Sequence, residues 1–197
     1  MKKINPILQM AKKNNGTITT KQVVDLGFSR GTLKYLTDTK KLERVSRGIY
    51  ILPEFLEDEF FCIQNRFKRG IFSHDTALFL LGLSDRTPNF FCMTFPKSYN
   101  ATAPRKENIR VFQSTNNFYD LGIVEVKSPS GNIVKVYSAE KTLCDILKTS
   151  SHTDIQLISL AFKEYLKLPK KNIPLLSEYA KTLKVDDKIR SYLEVLL

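Results

Sequence analysis

The sequence predicts an α+β fold: an N-terminal winged helix-turn-helix, then a mixed domain with a small antiparallel sheet and a C-terminal helical bundle. Three observations support this prediction. Residues 19–53 have the pattern of two short helices followed by a basic β-hairpin, strand-like segments fill the middle of the chain, and the apolar spacing becomes helical from Ser138 onward. We expect a DNA-binding domain over residues 1–53, a connecting helix over 54–70 and an α+β domain over 71–197.

The helix-turn-helix is predicted from its capping residues. Thr19 can cap the first helix, Gly27 can close it, and Ser29 can cap a second helix that runs to Thr39. Two helices joined by so short a turn cross steeply, so the second stands clear of its domain and can enter a major groove. The residues that we expect on its DNA-facing side are Ser29, Arg30, Gly31, Thr32, Lys34 and Tyr35.

A basic hairpin is predicted directly after this helix. Apolar residues between Leu42 and Ile51 punctuate two short strands around Ser46-Arg47-Gly48, a turn in which glycine can take a positive φ. An arginine near the tip of such a wing can reach a phosphate or lie in a minor groove. The residues expected to contact DNA from this region are Lys40, Lys41, Arg44, Ser46 and Arg47.

The distribution of charge also favours DNA as the partner. Residues 1–53 contain 11 lysines and arginines against 3 acidic residues, a balance of +8 out of +11 for the whole chain. Basicity concentrated in one module is expected when one face neutralises phosphates. The segment Ile4–Met10 has some amphipathic character, but a first core helix of a winged helix needs the same apolar positions. Because no signal peptide and no run of about 18 apolar residues is apparent, we expect no membrane association.

Cysteine and histidine usage argues against metal, redox and disulfide chemistry. Cys62, Cys92 and Cys144 lie far apart and are odd in number, so they suggest neither a disulfide framework nor a CxxC site. With only two histidines, the chain offers few further metal ligands. We therefore expect no cofactor and no metal, and a reducing cytoplasm as the compartment.

The second domain is predicted as a sheet followed by helices. A first helix ends at Gly82, and Ser73 and Asp75 are expected to cap its start. Two of the predicted strands are separated by a hairpin turn over residues 128–132. The predicted strands are Phe90–Phe95, Ile109–Phe112, Ile123–Val126 and Ile133–Val136, and the predicted helices are residues 138–147, Ile155–Leu166, Ile173–Leu183 and 186–197.

Four stretches resemble the successive landmarks of a known family. They are Ser46-Arg47-Gly48-Ile49-Tyr50 in the wing, FSHDTAL over residues 72–78, Leu81-Gly82-Leu83 shortly after, and YSAEKTLCD over residues 137–145. Their order and the chain length are similar to those of the AbiEi antitoxins of bacterial abortive-infection systems. The resemblance covers most of the chain and weakens after about Leu147.

The resemblance implies a function that the residues alone do not. Members of the family repress their own operon through the winged helix, which binds inverted repeats in double-stranded DNA upstream. Their C-terminal domain counters a nucleotidyltransferase toxin of AbiEii type. Such pairs are type IV toxin-antitoxin systems, in which neutralisation need not involve a stable complex. The chain is then expected to be an antitoxin and autorepressor rather than an enzyme.

Two isolated polar groups offer weaker indications of chemistry. His74 could take part in acid-base catalysis, but a histidine beside apolar residues is usually structural. Asp145 could be a site carboxylate. The simpler alternative is a helix-surface residue or a charge paired with Lys141 or Lys148, which the i,i+4 spacing of Lys141 and Asp145 supports.

Two alternative functions remain open from the sequence. Glu125-Val126-Lys127 has the E-x-K form of many metal-dependent nucleases, with Asp120 as the available second carboxylate, although three-residue matches are common by accident. The other alternative is a ligand-responsive transcription factor, whose pocket the aromatic residues of the second domain could line, although such residues are more often plain core. These aromatic residues are Phe90, Phe91, Phe95, Phe112, Phe118 and Tyr119.

Overall fold

A computed structural model describes residues 5–196 of the chain. The chain divides into two compact units. The first comprises the chain up to Arg66 together with Lys127–Val134, and the second comprises Phe67–Val126 and the chain from Lys135 onward. These units differ from the expected boundaries at residues 53 and 70, because the helix after the wing packs with the first unit and a later loop joins it.

The first unit contains the predicted helix-turn-helix and wing. Its elements are α1 (Asn5–Lys13), β1 (Thr17–Thr19), α2 (Thr20–Asp25), α3 (Arg30–Asp38), β2 (Glu43–Ser46), β3 (Ile49–Ile51) and α4 (Glu59–Arg66). The three strands form an antiparallel sheet in the order β1-β3-β2. Strand β1 was not predicted, since three residues are too few to show a period.

The helices of the first unit close over one hydrophobic core. The expected position Ile4 lies outside the described residues. Val23 of α2 is buried in this core, whereas its neighbour Val24 is 45% exposed. The fully buried residues include Ile7, Ala11, Ile18, Val23, Leu36 and Leu42.

The caps of α2 and α3 differ. The Thr19 hydroxyl accepts a hydrogen bond from the Gln22 amide at 3.3 Å, and the Gln22 side chain accepts one from the Thr19 amide at 2.8 Å, which confirms the predicted cap as a complete capping box. Ser29 occupies the N-cap position of α3, but its side chain makes no capping hydrogen bond. Its hydroxyl instead lies 3.4 Å from that of Thr32.

The loop over residues 127–134 is built around the carboxylate of Asp58. Ser128 Oγ and Asn132 Nδ2 donate to Asp58 Oδ2 at 2.5 and 2.8 Å. The amide of Phe61 donates to Asp58 Oδ1 at 3.1 Å, so the same side chain caps α4. Asp58 is 3% exposed, and Ser128 and Asn132 are also buried. We call this set of contacts the Asp58 clasp.

The second unit is a sheet followed by helices. It contains β4 (Ile71–Phe72), α5 (His74–Leu80), β5 (Phe91–Pro96), α6 (Thr102–Arg105), β6 (Ile109–Ser114), α7 (Asn116–Tyr119), β7 (Ile123–Lys127), β8 (Ile133–Tyr137), α8 (Ala139–Ile146), a 3₁₀ turn (Thr149–Ser151), α9 (Ile155–Lys167), α10 (Ile173–Thr182) and α11 (Asp186–Leu196). The ends of β7 and β8 that flank the 127–134 loop are grouped with the first unit. The four predicted strands and the helices after Ser138 are confirmed.

The sheet of the second unit is mixed, not antiparallel as predicted. Its order is β6-β5-β4-β8-β7. Strand β4 pairs antiparallel with β5, whereas β4 with β8 and β5 with β6 are parallel. The prediction was wrong because β4 has only two residues and because a strand's own pattern does not reveal the direction of its partner. The α+β fold class itself is confirmed.

Helix α8 lies at the centre of the second unit, where every residue from Glu140 to Ile146 is buried. Its apolar residues join α9, α10 and α11 in one core that includes Leu143, Phe162 and Leu176. The Tyr165 hydroxyl donates to Glu140 at 3.1 Å and accepts from the Asn172 amide at 2.9 Å.

Across residues 5–196, no helix combines the length and the apolar character that crossing a membrane requires.

Candidate nucleic-acid interface

Helix α3 has one buried and one exposed face. Leu33 and Leu36 are buried in the core. The expected DNA-facing residues Arg30, Gly31, Lys34 and Tyr35 are exposed, and Thr32 is half-buried. Tyr35 is 49% exposed. The exposed face of α3 therefore carries the residues that the sequence placed there.

The wing is anchored at its tip. Gly48 has φ +78°, the left-handed conformation predicted for this turn. The amide of Thr20 donates to the Gly48 carbonyl at 2.8 Å, which ties the tip to the start of α2. The register of β2 against β3 shifts between Arg44 and Ser46, and such a bulge increases the local twist. Arg44 and Arg47 are both exposed.

One cleft lies between α3, the wing and α4. All four arginines in the described part of the first unit line it: Arg30, Arg44, Arg47 and Arg66. None of the lysines described in that unit does so. The other lining residues are Thr20, Leu33, Val45, Ser46, Gly48, Tyr50 and Asn65.

This division between arginine and lysine has a chemical meaning. A guanidinium group presents a rigid fork of donors that matches a phosphate or a guanine edge, whereas an ammonium group acts as a point charge. Lys34, Lys40 and Lys41 are exposed on α3 and on the loop after it, outside the cleft. The structure thus gathers the three predicted arginines into one cleft and leaves the predicted lysines outside it.

Sequence reasoning missed the contribution of α4 to this cleft. Asn65 and Arg66, in the last turn of α4, were assigned to a connecting helix. The only signal in the sequence was a basic residue at the end of a predicted helix, and this signal does not indicate which surface of the protein the side chain lines. Arg66 also lines a smaller neighbouring cavity with Glu57 and Glu59.

The N-terminal part of the chain is similar in sequence to a known family. Residues 5–53 match the family model described as "Transcriptional regulator, AbiEi antitoxin". This part of the chain is similar to the AbiEi antitoxin family. The match confirms the resemblance for the helix-turn-helix and the wing, and it supports a role as a transcriptional regulator and antitoxin. It ends before α4.

The fold of the chain occurs in a solved structure. The crystal structure of the RV2827C protein from Mycobacterium tuberculosis is similar with a TM-score of 0.54 and 12% sequence identity, over 89% of this chain and 71% of that chain. At this identity the likeness concerns the fold alone. No curated protein matches the sequence.

The residues of the nuclease alternative do not form a cluster. Glu125 and Lys127 are exposed on β7, at one edge of the sheet, and Asp120 is exposed at the end of α7. Within residues 5–196, no group of three histidine, cysteine or acidic side chains is placed to hold a metal ion. The structure therefore adds no support to this alternative.

The aromatic residues of the second unit pack against neighbouring side chains. Phe95 stacks on Tyr99 with ring centroids 4.6 Å apart, and the guanidinium of Arg110 lies 4.1 Å from the ring centroid of Phe90. Phe112 stacks on the ring of His74. These contacts give Phe90, Phe95 and Phe112 structural roles, whereas Phe118 is 36% exposed.

The start of α5 differs from its predicted cap. Ser73 is at the N-cap position, but its side chain makes no capping hydrogen bond. Its hydroxyl accepts from Thr94 Oγ1 at 2.9 Å and lies 3.1 Å from His74 Nδ1. The prediction that Ser73 caps α5 was therefore wrong, because the hydroxyl is used in a buried network. Burial raises the pKa of Asp75, which accepts a hydrogen bond from Thr153.

Asp145 is paired as predicted but is buried, not on the surface. Lys141 Nζ and Lys148 Nζ lie 2.6 and 2.7 Å from its two carboxylate oxygens. Asp145 is 4% exposed and Lys141 is 2% exposed. Burial alone would raise the pKa of Asp145, but the two ammonium groups hold it below its usual value. Burial lowers the pKa of Lys141.

His74 lies in the field of this ion-pair network. Its ring stacks on Phe112 with centroids 3.6 Å apart, and the residue is 6% exposed. The pKa of His74 is lowered from 6.5 to about 4, chiefly by burial. Asp145 opposes this shift, and the cations of Lys141 on α8, Lys148 just after it and Arg110 on β6 contribute to it. Two motifs of the family resemblance thus contribute to one buried cluster.

Acidification is expected to destabilise the protein through His74. The neutral form is favoured in the folded state, while the unfolded chain takes up a proton near pH 6.5. Stability is therefore full above pH 6.5 and falls as the pH drops, with a loss of about 3 kcal/mol by pH 4. The measurement is the free energy of unfolding in urea across this range. His74→Asn should flatten the profile, because asparagine tolerates the left-handed conformation (φ +49°) and does not titrate.

The second histidine supplies the control for this experiment. His152 is exposed and also left-handed, with φ +52°. His152→Asn is expected to keep the pH profile of the parent protein. A parent profile that stays flat between pH 6.5 and pH 4 would contradict the role assigned to His74.

Proposed function

We propose that this protein is a DNA-binding antitoxin and the transcriptional autorepressor of a type IV toxin-antitoxin operon, acting by binding rather than by catalysis. The observation that carries the proposal is the arginine-lined cleft between α3 and the wing of an AbiEi domain. Its DNA partner is a set of inverted repeats in its own promoter.

Helix α3 enters the major groove in this proposal. Arg30, Thr32, Lys34 and Tyr35 are nearest the bases, and the small residues Ser29 and Gly31 allow close approach. The wing follows the adjacent backbone. Lys40, Lys41, Arg44, Ser46 and Arg47 hold phosphates or reach the minor groove. The sugar-phosphate strand between the two grooves then occupies the cleft, where guanidinium groups surround it.

The second unit is proposed to counter a nucleotidyltransferase toxin of AbiEii type, without the need for a stable complex. The support is the family resemblance of residues 72–83 and 137–145, both of which belong to this unit. The ion pair of Asp145 with Lys141 in the second stretch acts electrostatically on His74 in the first. This cluster is buried, so we assign it to holding the fold of the antitoxin domain rather than to contacting a partner.

The cytoplasm is the proposed compartment. Cys62, Cys92 and Cys144 are free and buried. Burial raises the pKa of the Cys62 and Cys144 thiols to about 12 and that of Cys92 to about 11. Thiols held in the neutral form react slowly, and they suit a reducing environment in which no disulfide is required.

Repression and toxin rescue are expected to separate in cells. Arg30→Ala/Arg47→Ala should derepress a reporter driven by the protein's own promoter, because the DNA contacts lie in the first unit. The same variant should still rescue growth when the toxin of the neighbouring gene is expressed from a separate promoter. Lys12→Ala/Lys13→Ala, which removes the same charge outside the cleft, should leave both functions intact.

Two results would contradict the proposal. Full repression by Arg30→Ala/Arg47→Ala would show that the cleft is not needed for repression. Failure of the parent protein to rescue growth from any product of its own operon would remove the antitoxin function.

A further inference from the structure

We propose that helix α4 is part of the DNA interface and that Arg66 and Asn65 contact the phosphate strand in the cleft. This inference rests on the proposed function and extends it beyond the residues that the AbiEi family model matches, which end at residue 53. It adds residues from a segment that the sequence assigned to a connection between domains.

The charged residues that line the cleft support this inference. Arg66 is exposed and lines it together with Arg30, Arg44 and Arg47. Among the described residues that line the cleft, none is acidic. Four guanidinium groups around one cleft concentrate positive charge there, and a phosphate strand is an anion that such a surface attracts.

Hydrogen bonds at the start and in the last turn of α4 support the same inference. The Asn65 side-chain amide donates to the Phe61 carbonyl at 3.0 Å, which fixes its orientation on the helix. The eight-residue helix is held at its start by the Asp58 clasp. A helix rises by about 1.5 Å per residue, so the clasp at the start of α4 lies roughly 12 Å from the end of the helix, where Arg66 is found. Asp58 is therefore a positioning residue for Arg66.

One feature opposes an anion near Arg66. Glu57 and Glu59 lie with it in the neighbouring cavity, and their carboxylates repel a phosphate there. They are absent from the described lining of the cleft itself. The charged side chains that line the cleft are consequently all basic.

The test is a titration of the full-length protein against a duplex that the parent protein binds, repeated at several salt concentrations. Arg66→Ala should weaken binding about tenfold and reduce the slope of log K against log salt by about one, for specific and unrelated duplexes alike. Arg66→Lys should keep the slope, since the charge remains. Arg190→Ala is the matched control, because Arg190 is an exposed helix residue of the second unit.

Arg47→Ala, titrated in parallel, distinguishes this inference from the proposal on which it rests. Weakened binding by Arg47→Ala with parent-like binding by Arg66→Ala would overturn the role of α4 and leave the proposed function standing. Parent-like binding by both variants would overturn the proposed function itself.

The positioning role of Asp58 is tested with a double-mutant cycle. Asp58→Asn should weaken DNA binding in the parent protein and have little effect in the Arg66→Ala background, because the contact it positions is already absent. A general loss of folded protein would lower binding equally in both backgrounds. Additive effects would therefore overturn the positioning role.

Discussion

Replacing Arg30, Arg44 and Arg47 together by alanine is expected to weaken binding to the protein's own promoter about a thousandfold. Each of these side chains lines the cleft between α3 and the wing. An arginine that binds a base edge or a phosphate contributes about 1–3 kcal/mol, and 1.4 kcal/mol corresponds to a factor of ten in affinity. The slope of log K against log salt should also fall by about two, since Arg44 and Arg47 are the two of these residues proposed to neutralise phosphates. The measurement is an equilibrium DNA titration at several salt concentrations.

Two variants separate the chemistry of arginine from charge alone. Replacing the same three residues by lysine should keep most of the salt dependence but lose affinity, because an ammonium group cannot make the bidentate contact. Replacing Lys12, Lys13 and Lys127 by alanine removes the same charge from described residues of the first unit that do not line the cleft. If the lysine-to-alanine control weakens binding as much as the arginine-to-alanine variant, net charge and not the cleft accounts for binding.

Replacing Asp145 by alanine is expected to lower the free energy of unfolding by about 3–5 kcal/mol. The carboxylate bridges Lys141 and Lys148, and Lys141 is 2% exposed. Without Asp145, the Lys141 ammonium must remain unpaired in the interior or lose its proton, and both outcomes cost free energy. Lys148 is less affected, because a third of its side chain is exposed and water can replace the partner. Urea denaturation at neutral pH measures the loss.

Two controls test this prediction: the loss of an exposed carboxylate, and the replacement of the buried ion pair by two apolar residues. Asp85 is exposed, so Asp85→Ala should change the stability by less than about 0.5 kcal/mol. The double variant Lys141→Met/Asp145→Leu should recover most of the loss, because an apolar pair of similar volume leaves no buried charge. A loss below about 1 kcal/mol in Asp145→Ala would mean that the ion pair contributes little to the fold.

Local signals predicted the DNA-binding half of the fold well. The capping box at Thr19 and the left-handed Gly48 each depend on a few neighbouring residues, so their sequence signatures are short and specific. The exposed face of α3 follows from its helical period, which places Leu33 and Leu36 inside and Lys34 outside.

Contacts between distant segments were not predictable from the same signals. Asp58 and Asn132 are 74 positions apart, and their hydrogen bond places a loop of the later sequence in the first unit. Strand β4 gains its place from partners on both sides, not from its own two residues. Arg66 enters the cleft only because α4 packs with the first unit, which no local pattern specifies.

The cluster around Asp145 combines both cases. The i,i+4 spacing predicted its pairing with Lys141, because that geometry is set by the helix alone. The burial of the pair was missed, since charged residues are almost never fully buried unless paired, and the covering elements come from elsewhere in the chain. Ser73 shows the same effect, because its hydroxyl bonds with Thr94 on β5 instead of capping α5.

The measurement that tests the central claim most directly is a titration of the purified full-length protein against DNA from upstream of its own gene, with an unrelated duplex in parallel and salt varied. The account predicts that the upstream DNA binds more tightly than the unrelated duplex and that log K falls linearly with log salt for both. Equal affinity for the two duplexes, or no binding at low salt, would contradict the assignment of this protein as an autorepressor.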